Sequence, residues 1–397
     1  MRPDPTPQLL LDLSELLKHD ARSGIQRVVR SVLHALDTQA PADYRVVPVY
    51  DAGGYYAVAG EHCAGAATDP ASDVPLRVRA GDIFLGLDLC PDQIPGNAAV
   101  LTDLRRHGVR LYFMVYDLIP LLRPDWFDPG MDLWFGRWLD TVTGLADGLI
   151  CISKAVADQL LQRLELAPPR RPGPLTVDYV HLGADIQASR PSAGVGAEES
   201  AVLAQLARRP TLLMVGTLEP RKAHAEALDG IEQLWRRGVD VGLVIVGKPG
   251  WQTAALAERL RAHTEFGRRL FWLEHASDEA LQALYQGSAA LLAASQAEGF
   301  GLPLIEAAQH GLPVIARDIA VFREVGGEHA YYFDAAAGAD DGAMLADALQ
   351  SWLALHARGA APASTAMPYL SWSAATRQIL AALLDGHQPR LAPVLLP

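Results

Sequence analysis

Residues 291–306 read LLAASQAEGFGLPLIE, and this stretch decides the fold. A short apolar run, a polar loop with two glycines and an apolar stretch opened by Pro303 spell a buried strand, a tight connection and a helix with proline at its first position. A helix leaving the carboxyl end of a parallel strand turns unpaired N–H groups and the positive end of its dipole towards whatever lies there, which makes it an anion site. Gly299 and Gly301 let the backbone approach a ligand closely. Glu298 falls in the loop and Glu306 in the expected first helical turn, so both carboxylates are expected near one crevice. A solvated loop acid, and a first-turn acid worth about 0.3–1 kcal/mol, are the ordinary alternatives.

The same alternation runs outward from this stretch in both directions. Strands are expected over 9–13, 45–50, 82–87, 110–116, 148–152 and 177–180, and again over 211–215, 241–246, 270–273, 289–293, 313–316 and 331–333. Helices are expected over 131–145, 154–164, 201–207, 223–236, 253–263, 278–286, 303–310 and 373–384, and the arginine-bearing SGIQRVVR segment from Ser23 reads as a packed helix. Alternating strands and helices imply parallel sheets covered on both faces, an α/β fold class. Periodicity fades over 183–209, rich in Ala, Ser, Gly and Pro, which marks a boundary between two such units. The expected domains are 1–190, 191–370 and a closing helical segment, 371–397.

Composition excludes several classes. The 397 residues are 50% hydrophobic and carry 34 basic against 46 acidic side chains, a formal charge of −12. A nucleic-acid binder gains most of its affinity by neutralising phosphates, so this balance argues against one. An anionic ligand must find positive charge that is locally concentrated, and only four of the basic residues are lysines: Lys18, Lys154, Lys222 and Lys248. No run approaches the roughly 18–20 apolar residues that span a bilayer, and Asp12, Glu15, Lys18 and Asp20 interrupt the start, so a cytoplasmic protein is expected. Cys63, Cys90 and Cys151 have no metal-clamp spacing and read as reduced, buried thiols.

Two nucleotide motifs are decoys. GLVIVGK at 242–248 has P-loop spacing, but Pro249 stands where a hydroxyl must hold magnesium, and 243–246 is strand. Gly299 and Gly301 begin a dinucleotide fingerprint whose third glycine would fall at Leu304. Asp-x-Asp, His-Glu-x-x-His and Gly-x-Ser-x-Gly are absent from the sequence, so nothing in it calls for a metal. A second informative piece is VGTLEPRK at 215–222. Arg221 and Lys222 follow a strand at its carboxyl end, where open α/β sheets bind ligands, and two cations there suit a diphosphate. Each pairing at about 4 Å is worth on the order of 4 kcal/mol before desolvation at an effective dielectric near 20. Lys248 follows the next strand in VIVGKPGW.

VGTLEPRK, VIVGKPGW and EGFGLPLIEAAQHGLPVIA together resemble the retaining glycosyltransferases of family four. Upstream, SGIQRVV at 23–29 resembles that family's N-terminal glycine loop, and YDLIP at 116–120, CISK at 151–154 and HLGAD at 181–185 fall in its usual order. The resemblance implies the GT-B fold: two Rossmann-like domains facing a central cleft, the first for acceptor and the second for sugar nucleotide. The closing helix with Trp372 would return to the first domain. It implies that Glu306 holds the nucleotide ribose, Glu298 contacts the transferred sugar, backbone N–H groups of Gly299, Phe300 and Gly301 meet sugar and phosphates, and Arg221 and Lys222 grip the diphosphate. Lys248 and Gly24 join the donor site, and Asp117 orients acceptor or sugar hydroxyls. Tyr116 stands where many relatives have histidine, and Thr217 where many have arginine.

The implied chemistry is retention by front-face attack, without metal or cofactor. The resemblance is strongest to bacterial mannosyltransferases of surface polysaccharide synthesis, which makes GDP-mannose the expected donor and a saccharide or lipid-linked saccharide the acceptor. A lipid carrier would bring the enzyme to the cytoplasmic face of the inner membrane. A sugar-nucleotide epimerase and an inactive binding protein of the same fold are the competing expectations, and the sequence sets no oligomeric state.

Overall fold

A computed structural model of the chain describes residues 6–19, 23–59, 74–184, 194–334, 342–386 and 389–395. The chain divides into two compact units, one of Met1–Pro124, Pro129–Gly183 and Leu370–Pro397, the other of Asp125–Asp128 and Ala184–Tyr369. Cys63 and, within the expected boundary at 183–209, residues 185–193, Asp185 among them, lie outside the described residues.

Unit 1 opens with strands β1 (Gln8–Asp12), β2 (Arg45–Asp51), β3 (Tyr56–Val58), β4 (Val74–Pro75), β5 (Ile83–Gly86), β6 (Arg110–Val115), β7 (Gly148–Cys151) and β8 (Thr176–Tyr179). Unit 2 supplies β9 (Thr211–Val215), β10 (Gly242–Val246), β11 (Leu270–Leu273), β12 (Ala290–Ala293), β13 (Val314–Arg317) and β14 (Tyr331–Phe333), after which the chain returns to unit 1 for β15 (Arg390–Leu391). Among the described residues, the sheet of unit 1 runs β15-β8-β7-β6-β5-β1-β2-β3-β4 and that of unit 2 runs β11-β10-β9-β12-β13-β14. Every pairing in unit 2 is parallel. Strands β10, GLVIV, and β12 are buried along their whole length, as strands covered on both faces must be.

In unit 2 the chain steps outward from β9 to β10 and β11, then crosses to the other side of β9 for β12, β13 and β14. The strand order reverses between β9 and β12, and open parallel sheets bind ligands at the carboxyl ends of the strands flanking such a reversal. In unit 1 the corresponding reversal lies between β1 and β5.

The core of unit 1 gathers Leu10, Phe84, Phe113, Trp138 and Leu160; that of unit 2 gathers Leu212, Leu243, Leu292, Ile315 and Trp352. Cys90 and Cys151 are buried free thiols, and burial raises the pKa of each. The segment SGIQRVVR, read as a packed helix and resembling a family glycine loop, forms the start of a helix. Ser23 caps helix Gly24–Gln39, its hydroxyl accepting from the Gln26 N–H while the Gln26 side chain accepts from the Ser23 N–H, a reciprocal box that fixes where the helix begins. Gly24 is therefore the first helical residue. Val28, Val29, Val32 and Leu36 bury one face of this helix, and the closing helix Trp372–Leu384 packs against it within unit 1. Gln39 bonds the carbonyl and hydroxyl of Ser373.

At the reversal of unit 1, Asp12 ends β1 and Asp88 follows β5. Asp12 is fully buried, accepts from the Ser14 N–H at 3.0 Å and from the Ser14 hydroxyl, and lies 3.4 Å from the Tyr56 hydroxyl. Burial pushes its pKa up to about 7, neighbouring Asp88 adding to the effect and the hydrogen bonds opposing it. Burial likewise lifts Asp88 to about 6, against bonds from the Leu89 and Leu16 N–H groups. The folded state therefore keeps a proton on Asp12 that the unfolded chain has released, and stability from this group falls as pH climbs from about 4 to about 7. Asp12→Asn removes that penalty. Its melting temperature, measured against the parent, rises steadily between pH 4 and pH 8; a difference independent of pH would show that Asp12 is not held protonated.

Candidate donor site of the second unit

The loops leaving β9 and β12 converge on one carboxylate. After β9, a 3-10 turn over Pro220–Lys222 presents two successive cations. After β12, Ser295 and Glu298 emerge from the adjacent strand. Arg221 Nη1 reaches Glu298 Oε2 at 2.5 Å, Lys222 Nζ donates to Glu298 Oε1, and the Ser295 hydroxyl donates to the same oxygen at 2.8 Å. Arg221 Nε also donates to Glu219 at 2.6 Å. The Glu298 side chain is only 8% exposed. Burial alone would raise its pKa, but the charges of Arg221 and Lys222, with the bonds from Lys222 and Ser295, outweigh that and hold it down at about 2.

This arrangement differs from the expected one in a specific way. Arg221 and Lys222 were expected to present concentrated positive charge to a diphosphate, with Glu298 reserved for the sugar. Instead the four side chains Glu219, Arg221, Lys222 and Glu298 sum to zero formal charge. An arriving anion would have to replace a carboxylate already in place.

Helix Leu302–Gln309 begins one residue earlier than expected. Gly301 precedes it in a left-handed conformation, φ 98°, and a Cβ there would lie 2.8 Å from the Phe322 ring. Pro303 is thus the second helical residue and Glu306 the fifth, in the second turn rather than the first. Glu306 is buried, and the Tyr285 hydroxyl donates to its Oε2 at 2.7 Å, which sets the plane of the carboxylate. Phe300 is also buried, so its backbone rather than its ring is what a ligand could meet.

Lys248 is exposed. Its loop matters through the backbone. The Leu218 N–H donates to Lys248 O at 2.9 Å, and the β9 and β10 loops pack so closely that a Cβ on Gly247 would lie 2.1 Å from Gly216 O. Lys222 in turn runs beside Gly216, its Cε 3.3 Å from where a Cβ would be. In unit 1, Asp117 Oδ1 accepts from the Ile119 N–H at 3.0 Å, and Tyr116 is buried with its hydroxyl on Leu87 O at 2.6 Å.

His224, Ser295, Glu219 and Tyr285 are site neighbours that sequence reasoning missed. The signal for His224 and Glu219 was adjacency to the Arg-Lys pair; for Tyr285, 21 residues before Glu306, there was none. His224 opens helix His224–Arg236 and is 2% exposed, its Nδ1 without a hydrogen-bond partner among the described residues. Burial first, then the charges of Lys222 and Arg221, push its pKa down to about 3, with Glu298 opposing, so the imidazole is neutral near pH 7. A cavity of about 20 Å³ lined by Lys222, His224, Ser295, Glu298 and Gly301 has room for about one water molecule. Among the described residues no group of three or more His, Cys, Asp or Glu side chains is placed to hold a metal ion, and no helix is long and apolar enough to cross a membrane.

Residues 197–360 match the glycosyl transferases group 1 family. The chain is 42% identical over 381 residues to the serotype-specific mannosyltransferase WbdA of Escherichia coli, an alignment covering 94% of this chain and 45% of that protein. The chain thus spans about half the length of the curated serotype-specific mannosyltransferases it matches. Among solved structures, HepE of Anabaena, in complex with UDP and glucose, superposes with a TM-score of 0.58 at 15% identity, covering 96% of each chain. The N-terminal domain of trehalose-6-phosphate phosphatase from Candida albicans superposes with a TM-score of 0.61 at 13% identity, covering 97% of this chain and 98% of that one. At these identities the likeness is one of fold.

Gly247→Ala should cost about 2 kcal/mol or more, since the new methyl meets backbone and φ is 153°. Gly24→Ala, with nothing within 4 Å of the new methyl, should fall within about 0.5 kcal/mol of the parent. Chemical denaturation compares the two, and equal losses would show that the β9 and β10 loops are not packed this closely.

Proposed function

We propose that the chain, whose residues 197–360 match the glycosyl transferases group 1 family, is a retaining mannosyltransferase of the GT-B fold in bacterial surface polysaccharide synthesis. It moves mannose from GDP-mannose to a saccharide or lipid-linked saccharide acceptor. The observation that carries this reading is the meeting of Arg221 and Lys222 with Glu298 at the strand reversal of unit 2. The 42% identity to a mannosyltransferase supports mannose as the sugar.

In this mechanism the donor's diphosphate takes over the bonds that Arg221 and Lys222 make to Glu298. The two cations then face the charge that grows on the departing phosphate, and fixed cations stabilise it without waiting for solvent to reorganise. Glu298, released from them and still bonded by Ser295, becomes the negative neighbour of an oxocarbenium-like sugar. Glu306, oriented by Tyr285, receives the ribose, and the N–H groups around Gly299 to Gly301 meet the sugar and phosphates. The bond from the anomeric carbon to phosphate oxygen breaks while the bond to the acceptor oxygen forms on the same face, and the acceptor's proton passes to the departing phosphate oxygen. No step runs through a metal or a resident cofactor. Lys248 and Gly24 extend the donor site, and Asp117 orients acceptor or sugar hydroxyls. A lipid-linked acceptor places this reaction at the cytoplasmic face of the inner membrane.

Incubation with a panel of sugar nucleotides and a mannose-containing acceptor, followed by measurement of nucleoside diphosphate and labelled product, tests the reading. GDP-mannose is expected to be consumed in preference to UDP-sugars with release of GDP. Neither turnover nor a thermal shift with any sugar nucleotide would sink it, and a changed sugar without transfer would make the protein an epimerase.

The ion pairing sharpens what two substitutions should do. Glu298→Ala is expected to lower kcat by about 10²–10³-fold while GDP binds as tightly as to the parent or more so, because the competing carboxylate is gone. Lys222→Ala is expected to weaken GDP binding by roughly 10–100-fold, the worth of a hydrogen bond to a charged group. Calorimetry with GDP and initial-rate kinetics check both; weaker GDP binding by Glu298→Ala would rule out the exchange of anions.

A further inference from the structure

Arg317 and Arg171 are the two arginines buried below a tenth of their surface among the described residues. Arg317 ends β13, the strand beside β12, and its guanidinium is spent on the neighbouring strand-end loops. Its Nε donates to Ala294 O at 2.9 Å, its Nη2 donates to Glu226 Oε2 at 2.7 Å, and the group lies 5.2 Å from the centre of the Phe333 ring. Ala294 directly precedes Ser295, which bonds Glu298. Glu226 stands in the first turn of helix His224–Arg236, just beyond Arg221 and Lys222. Gln296 closes the circuit: its N–H donates to Arg221 O at 2.8 Å and its side-chain amide lies 3.3 Å from Glu226 Oε2.

We propose that Arg317, through Glu226, is the positioning residue that sets the β12 loop carrying Glu298 against the β9 loop carrying Arg221 and Lys222. It ties the ends of β12 and β13 to the first turn of helix His224–Arg236, three places that are far apart in sequence. Desolvating the buried Arg317 guanidinium offsets much of its attraction to the partly exposed Glu226, so the pair is a poor device for stability, and an apolar residue of similar size would serve a core as well. It does impose direction. A guanidinium bonded at two of its nitrogens fixes both the distance and the angle between a carbonyl and a carboxylate, which a single ammonium does not. Where chemistry depends on alignment, a displacement of about 1 Å can cost on the order of 100-fold in rate.

This inference rests on the transferase reading for its kinetic consequence, and its structural consequence is tested separately. The variants are Arg317→Met, Arg317→Lys and Glu226→Gln, the last retaining shape should the first fail to fold. In Arg317→Met, and more mildly in Glu226→Gln, kcat for sugar transfer should fall roughly 10–100-fold with the KM for the donor changed less than about threefold, and Arg317→Lys should recover part of the loss. Amide exchange followed by mass spectrometry should show the peptide across 294–300 exchanging at least about tenfold faster in Arg317→Met and Glu226→Gln, with the β9 and β10 strands as protected as in the parent. Unchanged exchange across 294–300 in both variants, or a parent-like kcat in either folded variant, would overturn the proposal. A parent protein that transfers no sugar would overturn the transferase reading instead, and the exchange measurement would still decide whether Arg317 holds the loop.

Discussion

One carboxylate shared by two adjacent cations organises unit 2. Glu298 can be held by Arg221 and Lys222 only because β9 and β12 are parallel neighbours, Leu213 standing beside Leu291, so that their following loops leave the same edge of the sheet. Leaving one member of a buried pair without its partner costs about 3–5 kcal/mol, so each loop constrains the other. The neutrality of His224 follows first from its burial and then from the same cations, and the course of Lys222 past Gly216 is what brings its ammonium to Glu298. Strand order, ion pair and loop course are three aspects of one constraint.

Much of the fold was legible in the sequence because the parallel strands are short, uniformly apolar and bounded by polar residues. Strands Thr211–Val215, Leu270–Leu273 and Tyr331–Phe333 and helix Met131–Leu145 read at their observed bounds. Helix Ala343–Ala357 was missed: its alanine-rich run AMLADALQSWLALHA offers little contrast between its faces. Helix Ala98–Arg106 and the short helix Ala320–Gly326 were missed as well. The pair β3 and β4, three and two residues long, forms because β2 leaves an edge to be covered, which is a property of the sheet and not of those residues. The start of helix Leu302–Gln309 depends on Gly301 taking a left-handed conformation above Phe322, and the sequence shows the glycine but not its φ.

The site was legible in its parts and not in its wiring. Each motif carried a residue type suited to sugar-nucleotide chemistry, and the roles were assigned one residue at a time. That Lys222 and Glu298, 76 residues apart, bond each other follows from the reversal between β9 and β12, which no local pattern encodes. The net charge of −12 had suggested that positive charge must be concentrated somewhere. The structure concentrates two cations and matches them with Glu219 and Glu298, so charge at this site is balanced within a few ångströms.

The return of the chain to unit 1 has a temporal side. Helix Trp372–Leu384 and strand β15 complete unit 1 by covering helix Gly24–Gln39 and pairing with β8, yet all of Ala184–Tyr369 is synthesised before them. At a ribosomal rate of about 5–20 residues per second, the apolar face formed by Val28, Val29, Val32 and Leu36 waits roughly 20–70 s for its partner. Unit 2 has its whole sequence in hand before unit 1 does. During synthesis the later unit can finish folding first, and the earlier one, already emerged but incomplete, is the part that a cell must shield.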